Sequence, residues 1–128
     1  MKKKVLRTPL GPAAIGPYSQ AVVAGNMVFI SGQIPLDPET GNLIEDKSVK
    51  AQTRRALQNL QGILAAAGVS MQNVVKTTVY LTDMKTFAEM NAVWDGWVSP
   101  GNTPARATVE ARLASPQYNV EIMVTAAR

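Results

Sequence analysis

The sequence predicts an α+β fold, with two helices packed on one face of a mixed six-stranded β-sheet. The prediction rests on three observations: six short runs rich in β-branched and apolar residues, two longer segments with helical apolar spacing, and turn signals between them. The resulting order, βββαβαββ, indicates helices gathered on one side of a sheet. A chain of 128 residues is long enough to bury one core, so we expect a single domain over residues 1–128.

The first three strands are predicted from a hairpin and a preceding short run. Residues 5–8 form a short run, and GPAAIGPYSQ is a loop because of its prolines and glycines. The runs 20–24 and 27–34 flank Gly25-Asn26, a two-residue turn whose members tolerate positive φ. These two runs are therefore expected to pair as a β-hairpin.

Two helices and three further strands complete the prediction. After the turn cluster PLDPETGN, Ser48 can cap a helix that runs to Ala67 and stops at Gly68. Residues 74–82 alternate as a strand, and a second helix starts at Asp83 or Thr86 and runs to about Val98. Past the loop SPGNTP, the last strands are expected over 106–112 and 120–126.

Helices on one face leave the other face of the sheet uncovered. The side chains expected there mix apolar and polar types: Phe29, Ser31, Thr78, Tyr80, Glu121 and Met123. A monomer rarely exposes so large a partly apolar face. We therefore expect a homo-oligomer that buries it.

The net charge of +4 is concentrated at the start of the chain. Lys2, Lys3, Lys4 and Arg7 supply four of the 13 basic residues, and the remaining nine balance nine acidic ones. A specific nucleic-acid binder usually spreads its basic residues over a docking face, so the pattern does not favour nucleic acid as a partner. No apolar run is long enough to cross a membrane, and a cytoplasmic protein is expected.

The absence of histidine and cysteine narrows the possible chemistry. Without them the chain can form no imidazole relay, thiolate nucleophile, disulfide or zinc-thiolate site. Two other motifs fail: Pro17 stands where a phosphate loop starting at Gly11 would need lysine, and Asp37 and Glu39 are explained by a turn. Any chemistry must therefore come from the remaining polar side chains, from backbone groups and from water.

Two charged residues are candidates for chemistry. Arg106, in PARATVEARL, stands at the mouth of a predicted strand and could pair in two places with a carboxylate, although most arginines are solvated surface groups. Glu121, in VEIMVTA, is a lone acid among apolar neighbours, where partial burial would raise its pKa and suit it to proton transfer. It could equally be an exposed carboxylate or an ion-pair partner of Arg112 or Arg106.

Four uncharged residues are candidates for ligand binding. Tyr18 lies in a rigid GPYSQ loop, where its ring could cover a small planar ligand. It could also be a half-buried aromatic residue whose hydroxyl group contacts water. Ser31 and Gly32 have no nearby base in sequence, so binding or packing is the most they can do. Asn91 falls on the apolar stripe of the second helix between Phe87 and Trp94, where an amide needs a partner.

Taken together, these segments resemble the reactive intermediate deaminase (Rid) family, also called the endoribonuclease L-PSP or translation-inhibitor family. The motifs span almost the whole chain and include AAIGPYSQAV, NMVFISGQIPLDPETGNL, VVKTTVYLTDM, PARATVEARL and VEIMVTA. The resemblance implies a chorismate-mutase-like fold and a homotrimer with active-site clefts between subunits. It also implies cofactor-free hydrolysis of reactive enamines and imines, such as 2-aminoacrylate and 2-iminobutanoate, to 2-oxo acids and ammonia.

The resemblance also implies roles for the candidate residues. Arg106 matches the family's carboxylate-binding arginine and Glu121 the acid that holds or activates water. The cleft-lining positions match Tyr18, Ser31, Gly32 and Asn91. One departure is Thr108, where some members carry cysteine. Two alternatives stay open: an RNA-acting translation inhibitor that uses the basic N-terminus, and a chaperone-like or ligand-binding trimer without turnover.

Overall fold

The computed structural model describes residues 2–128 and confirms the predicted α+β architecture. The strands are β1 (Lys3–Leu6), β2 (Ala21–Ala24), β3 (Met27–Gln33), β4 (Val74–Leu81), β5 (Ala105–Glu110) and β6 (Val120–Ala127), and the helices are α1 (Val49–Ala66) and α2 (Phe87–Asp95). One sheet has the order β1-β2-β3-β6-β4-β5. β4 and β5 are parallel, and the other neighbouring pairs are antiparallel.

Helix α1 begins and ends where the sequence indicates. The Ser48 side chain accepts a hydrogen bond from the backbone N–H of Ala51, which satisfies one of the free donors of the first turn. Gly68 follows the helix with φ of +80°, a conformation that strongly favours glycine. Leu57, Leu60 and Leu64 are fully buried on its inner face.

Helix α2 is shorter than predicted. Asp83 caps a separate 3-10 turn over Met84–Thr86, and α2 itself ends at Asp95. The backbone N–H of Gly96 bonds to Val93 at the helix end. The predicted end near Val98 is therefore three residues too late, because the apolar spacing continues through Trp97 after the helical hydrogen bonds have stopped.

The first strand and the fifth differ from their predicted bounds. β1 begins and ends two residues before the predicted run 5–8. The reason is that β1 is an exposed edge strand, which includes Lys3 and Lys4 and needs few apolar residues. The strand predicted over 106–112 runs from Ala105 to Glu110. The other strand predictions agree with the structure to within one residue at each end.

The core lies between the sheet and the two helices. Alternate residues of β3, β4 and β6 face the helices and are buried, including Val28, Ile30, Val79, Leu81, Val120, Ile122 and Val124. The opposite face carries exposed apolar side chains: Phe29 is 46% exposed, Met123 40% and Val109 40%. Ser31, Thr78, Tyr80 and Glu121 are partly exposed on the same face. The predicted uncovered face is confirmed.

Replacing Thr77 with valine is expected to stabilise the protein. Thr77 on β4 is fully buried, and its Oγ1 has no hydrogen-bond partner within residues 2–128. Valine has the same shape and removes an unpaired hydroxyl, so the free energy of unfolding should rise by about 1 kcal/mol in denaturant titrations at one fixed protein concentration. A decrease would contradict the assignment of an unpaired hydroxyl.

The matched control is Thr53→Val on α1. Thr53 is equally buried, but its Oγ1 donates a hydrogen bond to the Val49 carbonyl at 2.7 Å. That substitution is expected to lower the free energy of unfolding by about 1 kcal/mol, the usual net value of one hydrogen bond. The two substitutions remove the same atom, so opposite signs isolate the effect of hydrogen bonding.

Candidate active site

Arg106 is fixed by helix α2. It lies on the edge strand β5, directly beside Thr77 of β4. Its Nη1 donates a hydrogen bond to Asn91 Oδ1 at 2.8 Å. The amide on the apolar stripe therefore has a partner, and that partner is the arginine.

Two aromatic rings of α2 stack against the same guanidinium. Arg106 Cζ lies 5.2 Å from the centre of the Trp94 ring and 5.6 Å from that of Phe87, within cation–π range. Phe87, Asn91 and Trp94 share one side of α2 because they are four and three residues apart. We call Arg106, Asn91, Phe87 and Trp94 the basic half-site.

The geometry of the basic half-site leaves the guanidinium available to a ligand. Within residues 2–128, Asn91 engages one of the five N–H donors of Arg106. The ring contacts hold the side chain in one direction, so less conformational entropy is lost when an anion binds. The remaining donors suit a carboxylate, which accepts two parallel hydrogen bonds from such a fork.

Glu121 lies on β6, on the uncovered face of the sheet. Its neighbour across the strand pair is Tyr80 of β4. The side chain is half-buried, and this burial raises the pKa of the carboxyl group above its ordinary value because the charged form loses hydration. A raised pKa brings the carboxylate closer to the range in which it can exchange protons with water near neutral pH.

The Glu121 carboxylate rests against a β-bulge in β3. The pairing of β3 with β6 shifts between Ile30 and Gln33, so Ser31 and Gly32 together occupy the irregularity. A side chain at Gly32 would collide with the Glu121 carboxyl group, whose Cδ would lie 2.7 Å from an added Cβ. A residue larger than glycine at this position would therefore displace the Glu121 carboxyl group.

Tyr18 joins this cluster from the loop that precedes β2. It is 49% exposed, and its hydroxyl accepts a hydrogen bond from the Ile15 backbone N–H at 3.3 Å. Tyr18, Ser31 and Gly32 line one small cavity. We call Tyr18, Ser31, Gly32 and Glu121 the acidic half-site.

The two half-sites lie on opposite faces of the sheet. Arg106 lies beside Thr77 of β4, and Glu121 lies beside Tyr80, three residues further along the same strand. Side chains alternate between faces along a strand, so an odd separation places them on opposite sides. Thr77 is buried under the helices whereas Tyr80 is partly exposed. Glu121 is therefore not an ion-pair partner of Arg106 within one chain.

Introducing a side chain at Gly32 is expected to displace the Glu121 carboxylate. In Gly32→Ala the added methyl group would occupy the space next to the carboxyl carbon, which moves the carboxylate toward water and lowers its pKa toward the ordinary value. Carbon-detected NMR titration of Glu121 measures the shift. Gly96→Ala is the control, because an added Cβ there meets the Val93 carbonyl at 3.5 Å, an ordinary contact. An unchanged Glu121 titration in Gly32→Ala would show that the carboxylate does not rest on Gly32.

Sequence reasoning did not single out Gln20, which connects the parts of the acidic half-site. Its backbone carbonyl accepts hydrogen bonds from both the N–H and the hydroxyl of Ser31, at 3.0 and 3.1 Å. The available signal was a polar residue that opens an apolar strand run, which predicts burial only weakly.

Within residues 2–128, no cluster of three acidic, histidine or cysteine side chains could hold a metal, and neither helix could span a membrane.

The fold defines a class of small α+β domains, and the candidate residues of this one include neither histidine nor cysteine. The chain belongs to the Endoribonuclease L-PSP family, whose sequence profile matches residues 8–128. It is 47% identical over 120 residues to a RutC family protein of Pyrococcus horikoshii, covering 94% of both chains. It is 43% identical over 127 residues to the 2-iminobutanoate/2-iminopropanoate deaminase of Salmonella typhimurium, covering 98% of both.

A solved structure confirms the fold. The crystal structure of Escherichia coli TdcF with bound serine superposes with a TM-score of 0.88 at 38% identity, covering 98% of each chain. The resemblance inferred from the motifs is therefore confirmed at the level of family and fold.

Proposed function

We propose that this protein hydrolyses small 2-imino acids and their enamine tautomers to 2-oxo acids and ammonia. The observation that carries the proposal is Arg106, a half-buried cation held by Asn91 and two aromatic rings with donors left for a carboxylate. The Salmonella relative named as a 2-iminobutanoate/2-iminopropanoate deaminase supports the substrate class. A serine-bound relative supports a ligand that carries a carboxylate and a nitrogen on adjacent carbons.

The complete site requires two copies of the chain. Arg106 and Glu121 face opposite sides of the sheet, so one cleft can contain both only if each comes from a different subunit. The apolar side chains Phe29, Met123 and Val109 on the uncovered face provide a surface for that contact. We propose a homotrimer with three equivalent clefts, each formed by the basic half-site of one subunit and the acidic half-site of its neighbour.

In this cleft Arg106 binds and orients the substrate. Its guanidinium pairs with the carboxylate, which directs the adjacent C=N carbon toward a water molecule at Glu121 of the neighbouring subunit. Asn91 keeps the guanidinium in place through Nη1. Tyr18 of the neighbouring subunit covers the small planar substrate. The Ser31-Gly32 bulge of that same subunit forms the bottom of the cleft.

Glu121 moves the protons of the reaction. It accepts a proton from water as the C–O bond forms, and the electrons of the C=N double bond pass to nitrogen, which takes that proton. The same carboxylate then takes the hydroxyl proton of the resulting carbinolamine and passes it to the nitrogen as the C–N bond breaks. The products are the 2-oxo acid and ammonia, and the carboxylate is regenerated. Because the imine already reacts with water, no strong nucleophile is needed.

The direct test is the rate of imine loss. An amino-acid oxidase or a threonine dehydratase generates 2-iminobutanoate in situ, and its conversion to 2-oxobutanoate is followed with and without the protein. We expect a faster conversion that is proportional to protein concentration. A rate equal to that in buffer would refute the proposal, and saturable 2-oxobutanoate binding without acceleration would identify a non-catalytic ligand-binding protein.

A further inference from the structure

Gln20 is a buried amide whose side chain closes the Tyr18 loop, defined as residues 8–20. It is 5% exposed. Its Nε2 lies 2.7 Å from the Pro12 carbonyl, 3.0 Å from that of Thr8 and 3.2 Å from that of Gly11. Its Oε1 accepts a hydrogen bond from the Thr8 backbone N–H at 2.8 Å. The side chain therefore satisfies backbone groups at the beginning of the loop that would otherwise be buried without partners.

The backbone of the same residue holds the other part of the acidic half-site. The Gln20 carbonyl accepts both the N–H and the hydroxyl of Ser31. Ser31 precedes Gly32, against which the Glu121 carboxylate rests. One residue thus connects the loop that carries Tyr18 with the bulge that supports Glu121.

The loop has little freedom apart from these bonds. Gly11 packs so closely on α1 that an added Cβ would lie 2.6 Å from Ile63 Cγ1. Gly62 of α1 in turn leaves no room for a Cβ, which would lie 2.9 Å from the Leu10 carbonyl carbon. The start of the loop is fixed on α1, while Gly16 to Tyr18 extend into solvent. The bonds of Gln20 join this fixed part to the residue that precedes strand β2.

We propose that Gln20 is a positioning residue, which sets the distance between the Tyr18 ring and the Ser31-Gly32 bulge and so the geometry of the acidic half-site. In this proposal Gln20 needs no contact with the substrate. It acts through Tyr18 and Ser31, and this catalytic part of the inference rests on the proposed deaminase function. Gln20→Met retains the length and apolar volume of the side chain but removes all the hydrogen bonds of the amide.

The structural part is tested without any substrate. In Gln20→Met, hydrogen exchange at the backbone amides of Thr8 and Ser31 should accelerate at least about tenfold. Thr8 loses its acceptor Oε1, and the carbonyl of residue 20 that accepts from Ser31 is no longer held in place by the side-chain amide. Gln52→Met is the matched control, since Gln52 is a buried amide whose side chain bonds, among the residues that the structure describes, Gln117 and Asn119. It should leave exchange at Thr8 and Ser31 unchanged. Equal exchange in Gln20→Met and wild type would overturn the proposal.

A wild-type measurement covers the case in which Gln20→Met does not fold. The side-chain amide protons of Gln20 are buried and bonded, so in NMR they should exchange at least about tenfold more slowly than those of the exposed Gln72. Exchange as fast as that of Gln72 would show that the Gln20 amide is not held by these hydrogen bonds.

The catalytic part is tested by a double-mutant cycle with Tyr18→Ala, which removes the ring. If Gln20 acts through Tyr18, Gln20→Met should lower kcat for 2-iminobutanoate about tenfold in the wild-type background and clearly less in Tyr18→Ala. Gln52→Met should give the same factor in both backgrounds. Equal factors for Gln20→Met would refute a positioning role. Inactive wild type would refute the deaminase proposal instead, and the exchange result would still stand.

Discussion

Arg106→Ala is expected to lower kcat/KM for 2-iminobutanoate hydrolysis by about 100-fold or more. The substitution removes the only charge of the basic half-site and with it the fork that orients the substrate carboxylate. A substrate displaced by about 1 Å from the attacking water already loses about 100-fold in rate. Steady-state kinetics with imine generated in situ measures the effect.

Two further variants separate orientation from charge. Arg106→Lys keeps the positive charge but not the planar fork, so it should recover only part of kcat/KM. Arg112→Ala removes an exposed arginine just beyond β5 and should behave like wild type. If Arg106→Ala retained more than about half of the wild-type kcat/KM, Arg106 could not be the substrate anchor.

Glu121→Gln is expected to reduce kcat by about 100- to 10,000-fold, the usual range for loss of a general acid–base group. Glutamine keeps the size and hydrogen-bonding capacity of the side chain but cannot transfer the proton. KM should change little, since substrate binding depends on Arg106. Glu39→Gln, at an exposed glutamate in a turn, is the control and should leave kcat unchanged.

The pH profile gives an independent readout of the same residue. Burial raises the pKa of Glu121 above its ordinary value, and only the deprotonated form accepts a proton from water. The enzymatic kcat/KM should therefore fall as pH decreases through this raised pKa, at a higher pH than for a fully hydrated glutamate. In Glu121→Gln this acidic limb should disappear. Its persistence in that variant would assign the limb to another group.

Much of the fold was predictable because its local signals are strong. Ser48 and Gly68 bracket α1, and Gly25-Asn26 joins β2 to β3, as their turn and cap chemistry requires. The first strand was misplaced because β1 is an edge strand that contains Lys3 and Lys4, and an edge strand with exposed faces needs no apolar alternation. The predicted end of α2 is wrong because the apolar spacing continues along the sequence beyond the last helical hydrogen bond.

The sequence predicts the candidate residues of the site but not their geometry. The motifs identified Arg106 and Glu121, yet their opposite orientations depend on the register of β4 with both β5 and β6. Register between distant strands leaves no local trace in the sequence. Asn91 was recognised as an amide in need of a partner, and only the packing of α2 on β5 identifies that partner as Arg106.

The proposed division of the site between two subunits can be tested by mixing inactive variants. Arg106→Ala and Glu121→Gln are unfolded and refolded together in equal amounts, so that subunits assemble at random. A cleft is active when its Arg106 comes from the Glu121→Gln chain and its Glu121 from the Arg106→Ala chain. Random assembly predicts recovery of about a quarter of wild-type activity. The same procedure with wild type and the double variant also predicts about a quarter.

A site built within one chain predicts different values from the same two mixtures. The two single variants would then recover no activity, and wild type mixed with the double variant would retain about half. Activity near one quarter in both mixtures is the result we expect from half-sites on opposite faces of the sheet. Zero in the first mixture together with half in the second would contradict it.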